Sequence, residues 1–234
     1  AHNLPFMQPD TINDEATSTK LQTMNCDVLV TVAYGQILSP ALLALPRLGA
    51  VNLHPSLLPK WRGASPIQHA ILAGDSETGV TVQMMAEALD AGPILAQARL
   101  PLAPEETFEH LNATLADMGA KLLADTLTKP FVPVPQDESK VTFCRKLSRK
   151  DGEVNPSEMT AEDIHRRVRA LTPWPGVTAP CGGARVKILK TSLVAEPEAL
   201  EIPCKDGRTL YVLQLQSPGR KPMSGKTWLR GHAK

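Results

Sequence analysis

Residues 51–64, VNLHPSLLPKWRGA, decide how this chain is read. With Leu48 and Ala50 before it, the segment 48–53 suits the end of a buried strand. Residues i and i+2 of a strand point to the same side, so Asn52 and His54 are expected to project together. Pro55 and Pro59 fix the backbone as the chain leaves the sheet, and in open α/β sheets ligands sit beyond the carboxyl ends of strands. Asn is an uncharged donor that can hold a developing oxyanion, and His moves protons near neutral pH. A second piece, LDAGP at 89–93, supplies Asp90, which can orient or charge-balance the imidazole or take a proton through water. Ser56, Leu57 and Leu58 offer a hydroxyl, backbone donors and two apolar side chains, a better match to a flat heterocycle than to a phosphate. Taken singly, a His at a strand end is ordinarily a satisfied structural residue, and an Asn or Asp before Gly is ordinarily turn chemistry. Spacing alone therefore supports an acyl-transfer or hydrolytic site and no more.

Upstream of this stretch, residues 4–8 read as a short edge strand and residues 11–24 as a helix capped by Asp10 or Thr11, with Asp14 and Glu15 in its first turn. DVLVTVA at 27–33 is a continuous β-branched run, the pattern of a buried parallel strand. Downstream, 66–73 reads as a helix ended by Gly74, 80–84 and 95–101 as strands, and 107–127 as a long helix with Leu111, Leu115, Met118, Leu122 and Leu123 on one face. Alternating strands and helices predict an α/β domain with a mostly parallel open sheet. Neither GxGxxG nor GxxxxGK[ST] occurs, so no dinucleotide or nucleoside-triphosphate motif is present.

KPFVPVPQDESK at 129–140 reads as a Pro-rich polar linker, which places domains at 1–128 and 141–234. Beyond it, 160–170 reads as a helix presenting Ala161, Ile164, Val168 and Leu171. Short strands at 186–189, 199–202 and 209–215, separated by Gly and Pro, predict a small, partly open, OB-like β-barrel.

Composition narrows the class. The 234 residues are 42% hydrophobic with 4% aromatic, so a globular core must rest on aliphatic side chains. There is no apolar run long enough for a membrane span and no secretory signal pattern, so a cytoplasmic location is expected. Cys26, Cys144, Cys181 and Cys204 form no CxxC pair and are expected to be free thiols. No Cys/His cluster has metal-ligand spacing, so no metal is expected. Residues 1–139 hold 7 Lys+Arg against 15 Asp+Glu, net −8, and residues 140–234 hold 18 against 9, net +9. That asymmetry suits a polyanionic partner; the plainer alternative is a solvated basic surface.

NLHPSLLPKWRGASPIQHAILAGDSETGVTVQMM at 52–85, followed by LDAGPIL at 89–95, resembles the formyltransferase family that uses 10-formyltetrahydrofolate. The likeness runs from about Leu4 to Leu229. It implies a Rossmann-like formyltransferase domain with Asn52, His54 and Asp90 as the catalytic trio. It also implies folate contacts from Ser56, Leu57, Leu58 and Pro59 and, more loosely, a pterin pocket near Gln36, Ile37 and Leu38. FCRKLSRK at 143–150, RALTPWP at 169–175 and LQSPGRKPMSG at 215–225 resemble the basic linker and β-barrel of the branch that formylates methionyl-tRNA. That branch implies a monomer acting in translation initiation on methionyl-initiator tRNA, with Lys146, Arg149, Lys150, Arg220 and Lys221 as candidate phosphate contacts. Two departures stand out. Chains of the family open on a strand with a pattern like FxGTPxFA, absent here, so an N-terminally incomplete domain is expected. Glu153-Val154-Asn155-Pro156 also replaces an acidic-aromatic pair. Two other functions remain open at this point: formylation of a sugar-nucleotide or other small amine, and a non-catalytic RNA-binding derivative of the fold.

Overall fold

The computed structural model describes residues 4–232. In chain order its elements are α1 (Glu15–Thr23), β1 (Leu29–Val32), α2 (Pro40–Leu43), β2 (Ala50–His54), β3 (Arg62–Gly63) and α3 (Pro66–Ala73). Then come β4 (Glu77–Met84), β5 (Ile94–Pro101), α4 (Phe108–Leu127), β6 (Phe143–Cys144) and α5 (Ala161–Leu171). The last are β7 (Val177–Cys181), β8 (Ala184–Ser192), β9 (Leu200–Pro203), β10 (Thr209–Gln216), β11 (Met223–Ser224) and α6 (Gly225–His232). They pack into two units. One takes the chain up to Arg62, Gly79–Ala98 and Asp117–Thr142; the other takes Gly63–Thr78, Arg99–Ala116 and the chain from Phe143.

The first unit is built on a four-stranded sheet of order β1-β2-β4-β5. The expected α/β class holds, and β1 and β2 are parallel, from Leu29↔Ala50 to Val32↔Leu53. The expectation of a mostly parallel sheet is corrected at the next pair, because β2 and β4 run antiparallel, from Val51↔Met84 to His54↔Thr81. A parallel return needs a helix crossing the sheet face, whereas α3 packs on α5. Val51, Val80 and Val82 lie buried in the sheet with Leu42 of α2. β1 is an edge strand exposing Val30 and Val32. Beside it runs an apolar groove of about 220 Å³ whose lining includes Ile12, Leu21, Thr31, Tyr34 and Leu38.

Two N-terminal expectations are corrected. Residues 4–8 form no strand, and Leu4 and Phe6 are exposed. The first helix begins at Glu15 with Asp14 as its cap: Thr17 N donates to Asp14 Oδ1 at 2.6 Å, and Thr17 Oγ1 donates to Oδ2 at 2.8 Å. A carboxylate able to take both donors outcompetes the earlier Asp10 and Thr11 as the start signal.

The second unit carries the antiparallel sheet β11-β10-β8-β7, with β9 paired to the first half of β10, in keeping with the small barrel-like fold expected for the C-terminal part of the chain. Val177, Ile188, Leu210, Val212 and Leu215 of these strands are buried, as are Ala161, Ile164, His165, Val168 and Leu171 of α5. α5 is capped by Thr160, whose Oγ1 accepts from Asp163 N at 3.0 Å. α3 ends where sequence predicts, at Gly74, whose φ of +68° is the left-handed turn that stops a helix without Cβ strain.

Candidate active site

Three polar side chains stand in a row across the first unit's sheet. Thr31 pairs with Asn52 in the β1–β2 ladder, and Asn52 pairs with Gln83 in the β2–β4 ladder. Paired residues of neighbouring strands share a face, so the next row, two residues along, joins His54 to Thr81 on that same face. Asn52 and His54 are thus brought together as their i, i+2 spacing predicts. Thr31 Oγ1 donates to Asn52 Oδ1 at 2.9 Å. With a donor on its carbonyl oxygen, Asn52 is left with Nδ2 to donate, and among the described residues that amide has no protein partner.

His54, at the carboxyl end of β2, is 4% exposed. Its Nε2–H donates to the Trp61 carbonyl at 2.8 Å, while Nδ1 lies 3.6 Å from Asp90 Oδ2. That second distance is too long for a direct hydrogen bond but short enough for strong coupling of charge. The Trp61 carbonyl accepts only, so neutral His54 keeps its proton on Nε2 and turns the Nδ1 lone pair towards the carboxylate. A proton arriving between them can be held at Nδ1. Burial pushes the imidazole below its ordinary value of 6.5, and the Asp90 charge and the Trp61 carbonyl partly oppose this. His54 is therefore neutral at pH 7 and available as an acceptor.

Both groups that face the imidazole lie on left-handed backbone, Trp61 at φ +63° and Asp90 at φ +50°. Such conformations cost about 1–3 kcal/mol each for a residue with a side chain, less for Asp. They persist because surrounding contacts fix them. Asp90 Oδ1 accepts from Gln83 Nε2 at 3.1 Å. Just past it, a Cβ on Gly92 would stand 1.8 Å from the Met84 carbonyl oxygen, so only glycine lets the turn close against β4.

The loop after β2 is held from beneath. Thr81 Oγ1 donates to the Ser56 carbonyl at 2.7 Å and accepts from Leu58 N at 3.1 Å and Gln97 Nε2 at 2.9 Å. Gln97 also donates to the Leu58 carbonyl at 2.8 Å. Ser56 is fully buried, its hydroxyl donating to the Lys60 carbonyl at 2.5 Å. Leu58 is buried too, which leaves Leu57, Pro59 and the backbone as the partly exposed surface of this loop.

Gln36 braces the chain before α1: its Oε1 accepts from Ile12 N at 2.8 Å and its Nε2 donates to the Asp10 carbonyl at 3.3 Å. Ile37 is 83% exposed, and Leu38 lines the groove beside β1. In the second unit Lys146, Arg149, Lys150, Arg220 and Lys221 are all exposed. Nearby Arg145 differs, because Asp151 holds it in a bidentate ion pair that keeps that carboxyl well below the usual range.

Sequence reading missed Thr31, Arg62, Gln83 and Gln136. Gln83 carried a signal, an amide inside the apolar strand VTVQMM; Gln136 carried none, standing in a Pro-rich polar segment. In the structure Gln136 is buried and donates to the carbonyls of Asp90 and Gly92, at 2.8 Å each. Among the described residues no group of three or more His, Cys, Asp or Glu could hold a metal ion, and no helix is long and apolar enough to cross a membrane.

Comparison with known proteins bears on this geometry. The sequence pattern described as formyl transferase matches residues 2–127, and that described as formyl transferase, C-terminal domain, matches 146–233. The methionyl-tRNA formyltransferase of Acidiphilium cryptum is 43% identical over 227 residues, covering 94% of this chain and 75% of its own length. That of Pseudoalteromonas translucida is 38% identical over 252 residues, covering 99% of this chain and 78% of its own length. Among solved structures, HypX from Aquifex aeolicus in complex with tetrahydrofolic acid superposes with a TM-score of 0.71 at 18% identity, over 93% of this chain and 40% of that one. A sugar N-formyltransferase from Shewanella superposes with a TM-score of 0.65 at 20% identity, over 79% and 77%. At these identities the structural likenesses establish the fold.

Proposed function

The chain belongs to the formyltransferase family, and on that premise we propose that it transfers the formyl group of 10-formyltetrahydrofolate to the α-amino group of methionyl-initiator tRNA. The observation that carries the reading is the pairing of an unpartnered amide donor, Asn52 Nδ2, with the buried His54–Asp90 couple at one strand end. The tRNA assignment draws on the relatives' names and on the net +9 of residues 140–234, within the proposed division into a catalytic domain, 1–128, a linker, 129–140, and a basic tRNA-binding domain, 141–234.

In this mechanism Asn52 donates to the formyl oxygen as the α-amine attacks and charge builds there. His54 takes the amine proton at Nδ1, directly or through a water bridging its 3.6 Å gap to Asp90. Asp90 stabilises the imidazolium so formed, which then returns the proton to the departing folate nitrogen. An α-amine with an ordinary pKa of about 7.7–8.0 is sufficiently neutral at pH 7 to attack. The loop Ser56–Pro59 would bear on the pterin through Leu57, Pro59 and backbone groups, and Ile37 and Leu89 are exposed apolar side chains on the other two segments the reading assigns to the folate. The five exposed cations are the proposed phosphate contacts, and the cytoplasm is the proposed location.

The test is formyl transfer from 10-formyltetrahydrofolate by the purified chain, with methionyl-initiator tRNA and an amino-sugar nucleotide offered in parallel. Transfer to the tRNA supports the reading; transfer to the sugar alone, or to neither by a folded protein, overturns it.

A further inference from the structure

Behind Asp90 lies a chain of polar groups that the proposed reaction does not use. Arg62 is 4% exposed, and Gln136 and Gln83 are buried. Arg62 Nε and Nη2 both donate to Gln136 Oε1, at 3.1 and 2.9 Å, and its Nη1 and Nη2 reach the Glu138 carboxylate at 3.3 and 2.7 Å. A guanidinium has donors only and stays charged. It therefore settles which way the Gln136 amide faces. Nε2 must point away, where it donates to the carbonyls of Asp90 and Gly92 at 2.8 Å each and contacts Gln83 Oε1 at 3.3 Å. That contact settles Gln83 in turn: its carbonyl faces Gln136, so its Nε2 faces Asp90 Oδ1. Polarity thus runs one way, from Arg62 through two amides to the carboxylate, leaving Oδ2 turned to His54.

We propose that Gln136 is a positioning residue, which with Arg62 locks the left-handed Asp90 turn and the direction of the Gln83 amide so that Asp90 presents Oδ2 to His54. The alternative role for a buried Gln, filling space, predicts that an apolar residue of equal volume serves as well. It does not explain two carbonyls one residue either side of Ala91 converging on one amide. Nor does it explain a buried cation aimed at the far end of that amide. The segment is itself anchored: Val134 exchanges backbone hydrogen bonds with Ile94, and Asp137, held down to about 2 by Ser139 and Lys140, caps the turn at Glu138–Lys140. Gln136 thus sits between two fixed points.

The inference rests on the assignment of His54 and Asp90 as the reacting pair, so it is tested by two independent readouts. Gln136→Met keeps the volume and removes every hydrogen bond; Gln136→Glu keeps the Arg62 contact and removes the donors to Asp90 and Gly92. In each, formyl transfer is measured beside the His54 imidazole titration followed by nuclear magnetic resonance, with a thermal melt to show folding. The expected result is a fall in kcat of about 10- to 100-fold, by analogy with the range met when hydrogen-bond partners that orient metal ligands are removed, with KM for the folate within about twofold. The His54 midpoint should drop in Gln136→Met as Asp90 swings away. Wild-type kcat and an unmoved His54 midpoint in either folded variant would overturn the proposal. If the wild-type chain itself transfers no formyl group, the functional reading fails, and the positioning role is then decided by the His54 titration alone. If Gln136→Met does not fold, Gln136→Glu decides.

Discussion

At the scale of single residues, the site is a problem in placing one proton. Burial favours neutral His54 and the Asp90 charge favours imidazolium, with burial the larger influence. A base whose folded pKa lies below 6.5 stays competent as pH falls through 6.5, so the part of the acid limb that His54 adds to kcat/KM is expected below that value, beneath the fall set by protonation of the α-amine itself. Asp90→Asn removes the opposing charge and should move the His54 midpoint lower still while slowing transfer; an upward shift would contradict the assignment. The same depression has a stability consequence. The unfolded chain takes up a proton near 6.5 and the folded chain does so lower, so stability is full above 6.5 and erodes as pH drops between the two values. Asn52, His54 and Asp90 were singled out by the i, i+2 spacing of the first two and by the family resemblance, since each taken singly is ordinary strand-end or turn chemistry. The Ser56 side chain was less legible: a hydroxyl reads as a ligand group, and in the structure it is buried and donates to the Lys60 carbonyl.

At the scale of elements, the central strands and helices followed from apolar period and from punctuation, whereas residues 4–8 formed no strand and β7 was not expected. α3 begins and ends where the sequence predicts because Pro66 and Gly74 bound it. Sheet direction was not legible, since whether β4 returns parallel or antiparallel to β2 depends on where α3 packs, and that is a tertiary choice. The buried His165 of α5 was likewise missed, because its partners are distant in sequence: Thr191 Oγ1 at 2.8 Å and Glu105 Oε2 at 2.9 Å. The turn from β4 to β5 makes the sharpest demand. Gly92→Ala places a methyl against the Met84 carbonyl, and the backbone must move to relieve it. A loss of at least about 1–3 kcal/mol is expected, as for overpacked cores, together with a fall in turnover larger than the reduced stability explains, because the shift displaces Asp90. A thermal melt paired with steady-state kinetics checks this, and full kcat in the variant would show that the turn tolerates displacement.

At the scale of the whole molecule, composition separates an acidic N-terminal part, where the proposed chemistry lies, from a basic C-terminal part. Replacing Lys146, Arg149 and Lys150 together by Gln should weaken tRNA binding and flatten its dependence on salt by about one unit of log–log slope for each phosphate no longer neutralised. Folate binding should be unchanged. An unaltered salt slope would place the polyanion elsewhere on the chain. Charge asymmetry was visible in the sequence from the start; the exposed positions of these cations were not, and neighbouring Arg145 shows why, since Asp151 six residues on engages it. The central claim is that Asn52 and His54 carry formyl transfer, and single-turnover transfer to methionyl-initiator tRNA measures it most directly. With the wild type, Asn52→Ala and His54→Ala compared at saturating folate and each shown to be folded, the wild type should transfer and each variant should be slower by about 10²–10³-fold, the cost of removing one preorganised donor or proton acceptor. Wild-type rates in both folded variants would contradict the account.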